Sequence, residues 1–131
     1  MKFLLDTHAL LWFIERDAQI SEKARQILED TGNEILASVV GLFEISIKLK
    51  IGKMTLLKHF SRFVQDVETA FITVIPITTE HLTEYQNLRE IVDHRDPFDR
   101  LILATGESEK AVIISVDPKI NQYKHEVEVI W

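Results

Sequence analysis

The chain has no cysteine, which excludes a disulfide framework and sets the expected compartment as the cytoplasm. It has no apolar run long enough to cross a bilayer, and no membrane partner is expected. The opening Phe3-Leu4-Leu5 meets Asp6 before a signal-peptide core can form. Positive charge is also short: 15 Lys and Arg against 21 Asp and Glu leave a formal charge of −6. That balance argues against nucleic-acid binding through overall positive charge, but not against a nuclease whose acids share one cation-binding cleft. There are no internal repeats or low-complexity segments, and His8, His59, His81, His94 and His125 show no metal-ligand spacing.

What is present is ordinary globular material, 46% hydrophobic and 27% charged, and 131 residues fit one domain, 1–131, able to bury its own core. Residues 2–5 read as a short buried strand ending at Asp6, and Thr7 to Ile14 as a helix. Ser21 starts a second helix to about Asp30. Residues 34–37 are strand-like, and Ser38 caps a helix that runs to Ile51 and stops at Gly52. Phe60, Phe63, Val64 and Val67 mark an amphipathic helix. Residues 71–75 form a β-branched strand ended by Pro76, and Thr78 or Thr79 caps a helix from about Glu80 to Val92. Residues 111–116 read as a central strand buried on both faces, followed by Asp117-Pro118 and a short helical segment to Tyr123; the last strand is 127–130. Strands alternating with helices in this way mean an α/β fold with a parallel sheet of about five strands.

The most informative stretch is 94–105, His-Arg-Asp-Pro-Phe-Asp-Arg-Leu-Ile-Leu-Ala-Thr. Asp96 is well placed as N-cap and Pro97 at the first helical position, while Asp99 stands where a capping box carries its acid. Capping explains one acid comfortably and the second less well. Phe98, Leu101, Ile102 and Thr105 follow one helical face, and Leu103 and Ala104 widen it, so the helix is covered on both sides and the acids sit at its buried mouth.

Other acids recur at comparable places. Asp6 and Asp117 end buried strands, and in an open parallel sheet the carboxyl ends of strands are where ligands bind. Glu44 sits in a largely apolar helix, with an ion pair to Lys48 as the plain alternative. Carboxylates brought together repel, and a common reason to assemble them is a hard cation such as Mg2+ or Mn2+, which prefers oxygen ligands. Such a site activates water against a phosphodiester without needing a catalytic His or Cys.

Residues 5–12 (Leu-Asp-Thr-His-Ala-Leu-Leu-Trp), 38–45, 94–102 and 115–118 together resemble the PIN-domain ribonucleases, specifically the VapC-type toxins of bacterial toxin–antitoxin pairs. The resemblance covers essentially the whole chain, and the 94–100 run is its most specific part. It implies a PIN-like three-layer α/β/α sandwich and a Mg2+-dependent endoribonuclease, with Mn2+ able to substitute. The partners it implies are RNA as substrate, a separately encoded antitoxin and a second copy in a homodimer. Carried over residue by residue, the acidic pocket is Asp6, Glu44, Asp99 and Asp117, with Asp6, Asp99 and Asp117 as metal ligands. Asp96, Thr7 and Ser115 are further candidates, Asp96 as ligand or cap and the two hydroxyls as groups that orient a carboxylate or water.

Two other classes compete. A structure-specific 5′ nuclease lacks its expected arch-forming extension here. A non-catalytic module, receiver-like or RNA-binding, is the rival outside enzymes; a receiver would need adjacent acids after the first strand, and Asp6 stands alone. Lys48, Lys50, Lys53, Arg95 and Arg100 read as solvated surface, with a local phosphate track as the alternative. The girth of the Glu44 helix is apolar enough for one side to be buried by another subunit, with Leu42, Phe43 and Ile47 as candidates and ordinary core as their alternative.

Overall fold

Phe3 and Leu5 face one side of the first strand and Leu4 the other, and all three are buried, so β1 (Lys2–Leu5) lies inside the protein. The computed structural model describes residues 1–90 and 96–131. Around β1 it sets β2 (Glu34–Ser38), β3 (Ile72–Ile75), β4 (Val112–Ile114) and β5 (Val129–Ile130). The sheet order is β3-β2-β1-β4-β5, and every pairing is parallel. Leu4 stands in register between Leu36 and Ile113.

The helices are α1 (Thr7–Ile14), α2 (Glu22–Glu29), α3 (Val39–Lys50), α4 (Phe60–Thr69), α5 (Thr79–Asn87), α6 (Pro97–Glu109) and α7 (Pro118–Asn121). Side chains alternate along each strand, so the two faces carry separate cores. One joins Phe3, Leu5, Ile35 and Ile72 to Leu10 of α1, Leu28 of α2 and Phe63 of α4. The other joins Leu4, Leu36 and Ile113 to Ile102 and Leu103 of α6 and Ile120 of α7. The fold is therefore the expected α/β/α sandwich, and each fully buried Leu or Ile contributes about 1.5–3 kcal/mol. Gly106 sets the spacing of α6 on the sheet, since a Cβ there would lie 2.8 Å from Ile113.

Several elements are shorter than the sequence pattern suggests, among them β4, which spans Val112–Ile114 of the expected 111–116. α5 ends at Asn87 because Leu88 turns to extended backbone and buries its side chain in the second core. Residues 88–90 of the expected helix are described and not helical, and its last two, 91 and 92, lie with His94 and Arg95 of the motif outside the described residues. Phe71 has a φ of 61° and is exposed, so it turns the chain into β3 and is not its first residue. β5 begins at Val129, since Val127 N–H is spent on Tyr123 O in the preceding turn.

The chain places β2 and β3 on one side of β1, then returns to place β4 and β5 on the other. Strand order thus reverses between β1 and β4. In an open parallel sheet a crevice forms at the carboxyl ends of the strands at such a point.

Candidate active site

Asp6 follows β1 at that reversal and caps α1, with Ala9 N–H donating to its Oδ1 at 2.8 Å. Its other oxygen accepts from the Ser115 hydroxyl, and Ser115 Oγ accepts from Asp117 N–H at 3.1 Å. One buried serine thereby ties together the acids that follow β1 and β4. Burial pushes the Asp6 carboxyl above its ordinary value, against the pull of the Ser115 and Ala9 hydrogen bonds.

Thr7, the first residue of α1, donates through Oγ1 to Glu44 Oε1 at 2.8 Å. Glu44 is 8% exposed, and its Oε2 pairs with Lys48 Nζ at 3.0 Å on the next turn of α3. Gly41 allows this approach, because a Cβ there would lie 3.3 Å from Thr7 Oγ1. Ser38 caps α3, its Oγ accepting from Val40 N–H at 3.1 Å.

Asp96 is exposed and caps α6: its Oδ1 accepts from Phe98 N–H at 2.8 Å and Asp99 N–H at 3.3 Å. Asp99, in the first turn, is only partly exposed. Its carboxyl is pushed up to about 7, first by burial and then by the charges of Asp96, Asp117, Glu44 and Asp6. A helix N-terminus favours a carboxylate, yet here four neighbouring acids and desolvation outweigh it. Asp117 caps α7, its Oδ1 accepting from Lys119 N–H at 2.9 Å.

These side chains line one cleft of about 220 Å³. Asp6, Glu44, Asp96, Asp99 and Asp117 supply its acids, Lys48 and Lys119 its cations, and Thr7 and His8 complete the lining. A groove of about 1140 Å³ lies elsewhere, between α1, α2 and α4, and contains none of these acids. Size does not identify the site; the converging charge does.

The donor set is hard oxygen throughout, and acids outnumber lysines in the lining by five to two. That composition fits Mg2+ or Mn2+. Among the described residues no three acids are already closed into a metal-holding group. The existing hydrogen bonds aim the carboxylates without exhausting them, since each carboxylate offers about four lone-pair sites.

Two positions differ from the sequence reading. Arg100 is not solvated surface: it is 4% exposed, donates to Glu90 Oε1 at 3.2 Å and to Tyr123 Oη at 3.3 Å, and lies over the Tyr85 ring at 5.2 Å. Leu42 is not at an outer face but belongs to the first core. Lys119 in the cleft was not singled out from sequence; its place right after Asp117-Pro118 was the signal. Of the lysines in the suggested phosphate track, Lys48 lines the cleft, whereas Lys50 and Lys53 are exposed and do not line it.

The model of the PIN domain family matches residues 3–126. No curated protein matches the sequence. Solved structures match in fold. DNA-bound VapBC from Salmonella typhimurium superposes with a TM-score of 0.70 at 18% identity, covering 99% of this chain and 97% of that one. VapBC2 from Rickettsia felis, bound to a DNA fragment from the promoter, gives 0.67 at 15%, covering 99% and 98%. A toxin–antitoxin complex from Klebsiella pneumoniae gives 0.64 at 21%, covering 98% and 95%.

Proposed function

The chain belongs to the PIN-domain family, and from that premise we propose that it is a Mg2+-dependent endoribonuclease, the cytoplasmic toxin half of a toxin–antitoxin pair. One observation carries the reading: acids from four separate segments line a single cleft where strand order reverses, and burial together with that crowding pushes Asp99 up to about 7. Folding alone gains nothing from such crowding, whereas a hard cation at the site turns the repulsion into affinity.

Asp6, Asp99 and Asp117 would hold Mg2+ or Mn2+, which supplies there the charge that activates water and offsets the charge developing on a phosphodiester. Ser115 keeps Asp6 and Asp117 at a fixed spacing. Glu44, clamped by Thr7 and Lys48, presents a fixed carboxylate that orients water at the cleft. Asp96 caps α6 and so holds the backbone of Asp99 at the cleft mouth.

The test is cleavage of single-stranded RNA by purified protein freed of any bound partner. Cutting in Mg2+ or Mn2+ that stops in EDTA supports the reading, and cutting unchanged by EDTA removes it.

The antitoxin rests on the shared fold with VapBC complexes. Its test is co-expression with the product of an adjacent small open reading frame, which should relieve growth arrest. A homodimer fits the outward face of α3, where Val39 and Phe43 are exposed, Ile47 is partly so, and Phe43 meets Phe98 edge-on with ring centroids 5.8 Å apart. Phe43→Asp should convert a dimer to a monomer in sedimentation; a wild-type monomer at micromolar concentration contradicts this.

A further inference from the structure

We propose that Lys48 is the residue that positions the RNA backbone at the acid cleft, an inference that rests on the ribonuclease reading above. RNA is a polyanion, the protein carries a formal charge of −6, and the cleft is lined by five acids. An RNA phosphate entering it is favoured by a cation beside the acids, whose ammonium or guanidinium releases a counterion from the strand. Among the described residues, the lysines and arginines lining the cleft are Lys48 and Lys119.

These two differ in how they are held. Lys119 is exposed on the first turn of α7. Lys48 is partly buried, and Glu44 Oε2 anchors its ammonium at 3.0 Å. Glu44 is itself fixed by Thr7 at 2.8 Å, so a chain of two contacts runs from the start of α1 to the ammonium. A lysine loses much rotamer entropy when a contact immobilises it, and here the fold has already immobilised it. An ammonium has three N–H donors, and the pair with Glu44 uses one face of it. Lys48 thus offers an oriented positive charge beside the carboxylates proposed to act on the phosphodiester, and the exposed Lys50 of the same helix does not.

Full-length wild type, Lys48→Met, Lys48→Arg and Lys50→Met would be compared for cleavage of single-stranded RNA in Mg2+ and for binding of the same RNA in Ca2+ by anisotropy. Lys48→Met should raise KM and the Ca2+ Kd about tenfold, the size of one charge-assisted contact, and should lower kcat as well, because it also releases one side of the Glu44 clamp. It should also flatten the dependence of log Kd on log salt by about 0.7, as expected for one phosphate contact on a single strand. Lys48→Arg should restore both values, and Lys50→Met should match the wild type. If Lys48 serves only as the ion pair of Glu44, Lys48→Met lowers the melting temperature and kcat but leaves KM, Kd and salt slope unchanged, and the proposal is overturned. A wild type that neither binds nor cuts RNA removes the ribonuclease reading and this inference together.

Discussion

Thr7 Oγ1 donates to Glu44 Oε1 at 2.8 Å, joining the first residue of α1 to the middle of α3. The contact is buried, so it is both a stability term and a positional constraint on the acid. Thr7→Val keeps the shape and removes the donor, leaving a buried carboxylate oxygen without it. The expected cost is about 1–3 kcal/mol, with a drop in kcat larger than any change in KM. Unchanged melting temperature and unchanged kcat would show that Thr7 holds nothing.

Asp96 and Asp99 should separate by substitution. Asp96→Asn retains a good N-cap, so the folded protein and most of its activity should survive. Asp99→Asn should abolish cleavage and, in EDTA at pH 8, raise the melting temperature by relieving the crowding around it. Discounted for solvent screening, the gain is on the order of 1–3 kcal/mol. A dead Asp96→Asn with an active Asp99→Asn reverses the two roles.

Stability of the metal-free protein should fall as pH rises. The folded value of Asp99, about 7, lies above its ordinary 3.8, so the folded state binds the proton more tightly than the unfolded chain. Its favourable contribution is complete below about pH 3.8 and is lost as pH rises through about 7. Asp6 is shifted in the same direction. Melting temperatures in EDTA should therefore decline across that window, and saturating Mg2+ should flatten the decline. A rise through the same window in EDTA would contradict the assignment.

Arg100 has a structural task. Its guanidinium joins Glu90, Tyr123 and the face of Tyr85 beneath α6. Arg100→Ala should lose roughly 2–4 kcal/mol while leaving the Mn2+ affinity of the folded protein unchanged, since Arg100 does not line the cleft. A large loss of metal affinity without loss of stability would place Arg100 in the site instead.

Much of the fold was legible because local signals agreed with tertiary ones. Asp6 after an apolar run, Ser21, Ser38 and Asp96-Pro97 mark the starts of α1, α2, α3 and α6, and the structure puts caps at those residues. β-branched runs marked β3 and β4, and short apolar runs marked β1 and β2. What sequence spacing could not show was the direction of long side chains. Arg100 carries a permanently charged head group, yet its position on α6 turns it inward against Tyr85 and Tyr123. Leu42 and Phe43 are adjacent and equally apolar, but the helical rotation between them sends one into the core and leaves the other exposed. The convergence of Asp6, Glu44, Asp99 and Asp117 depended on strand order, which the alternation of elements does not fix.

The central claim is that these acids form one cation site, and titration calorimetry with Mn2+ at pH 7 tests it most directly. Burial and the neighbouring acids push Asp99 up to about 7, and Asp6 is shifted in the same direction. Binding should therefore release protons, read from experiments in buffers of different ionisation enthalpy. Asp99→Asn should bind much more weakly and release less. Saturable binding with proton release in the wild type, lost in Asp99→Asn, is the predicted result; no binding heat in the wild type, or equal binding by the two proteins, would contradict the account.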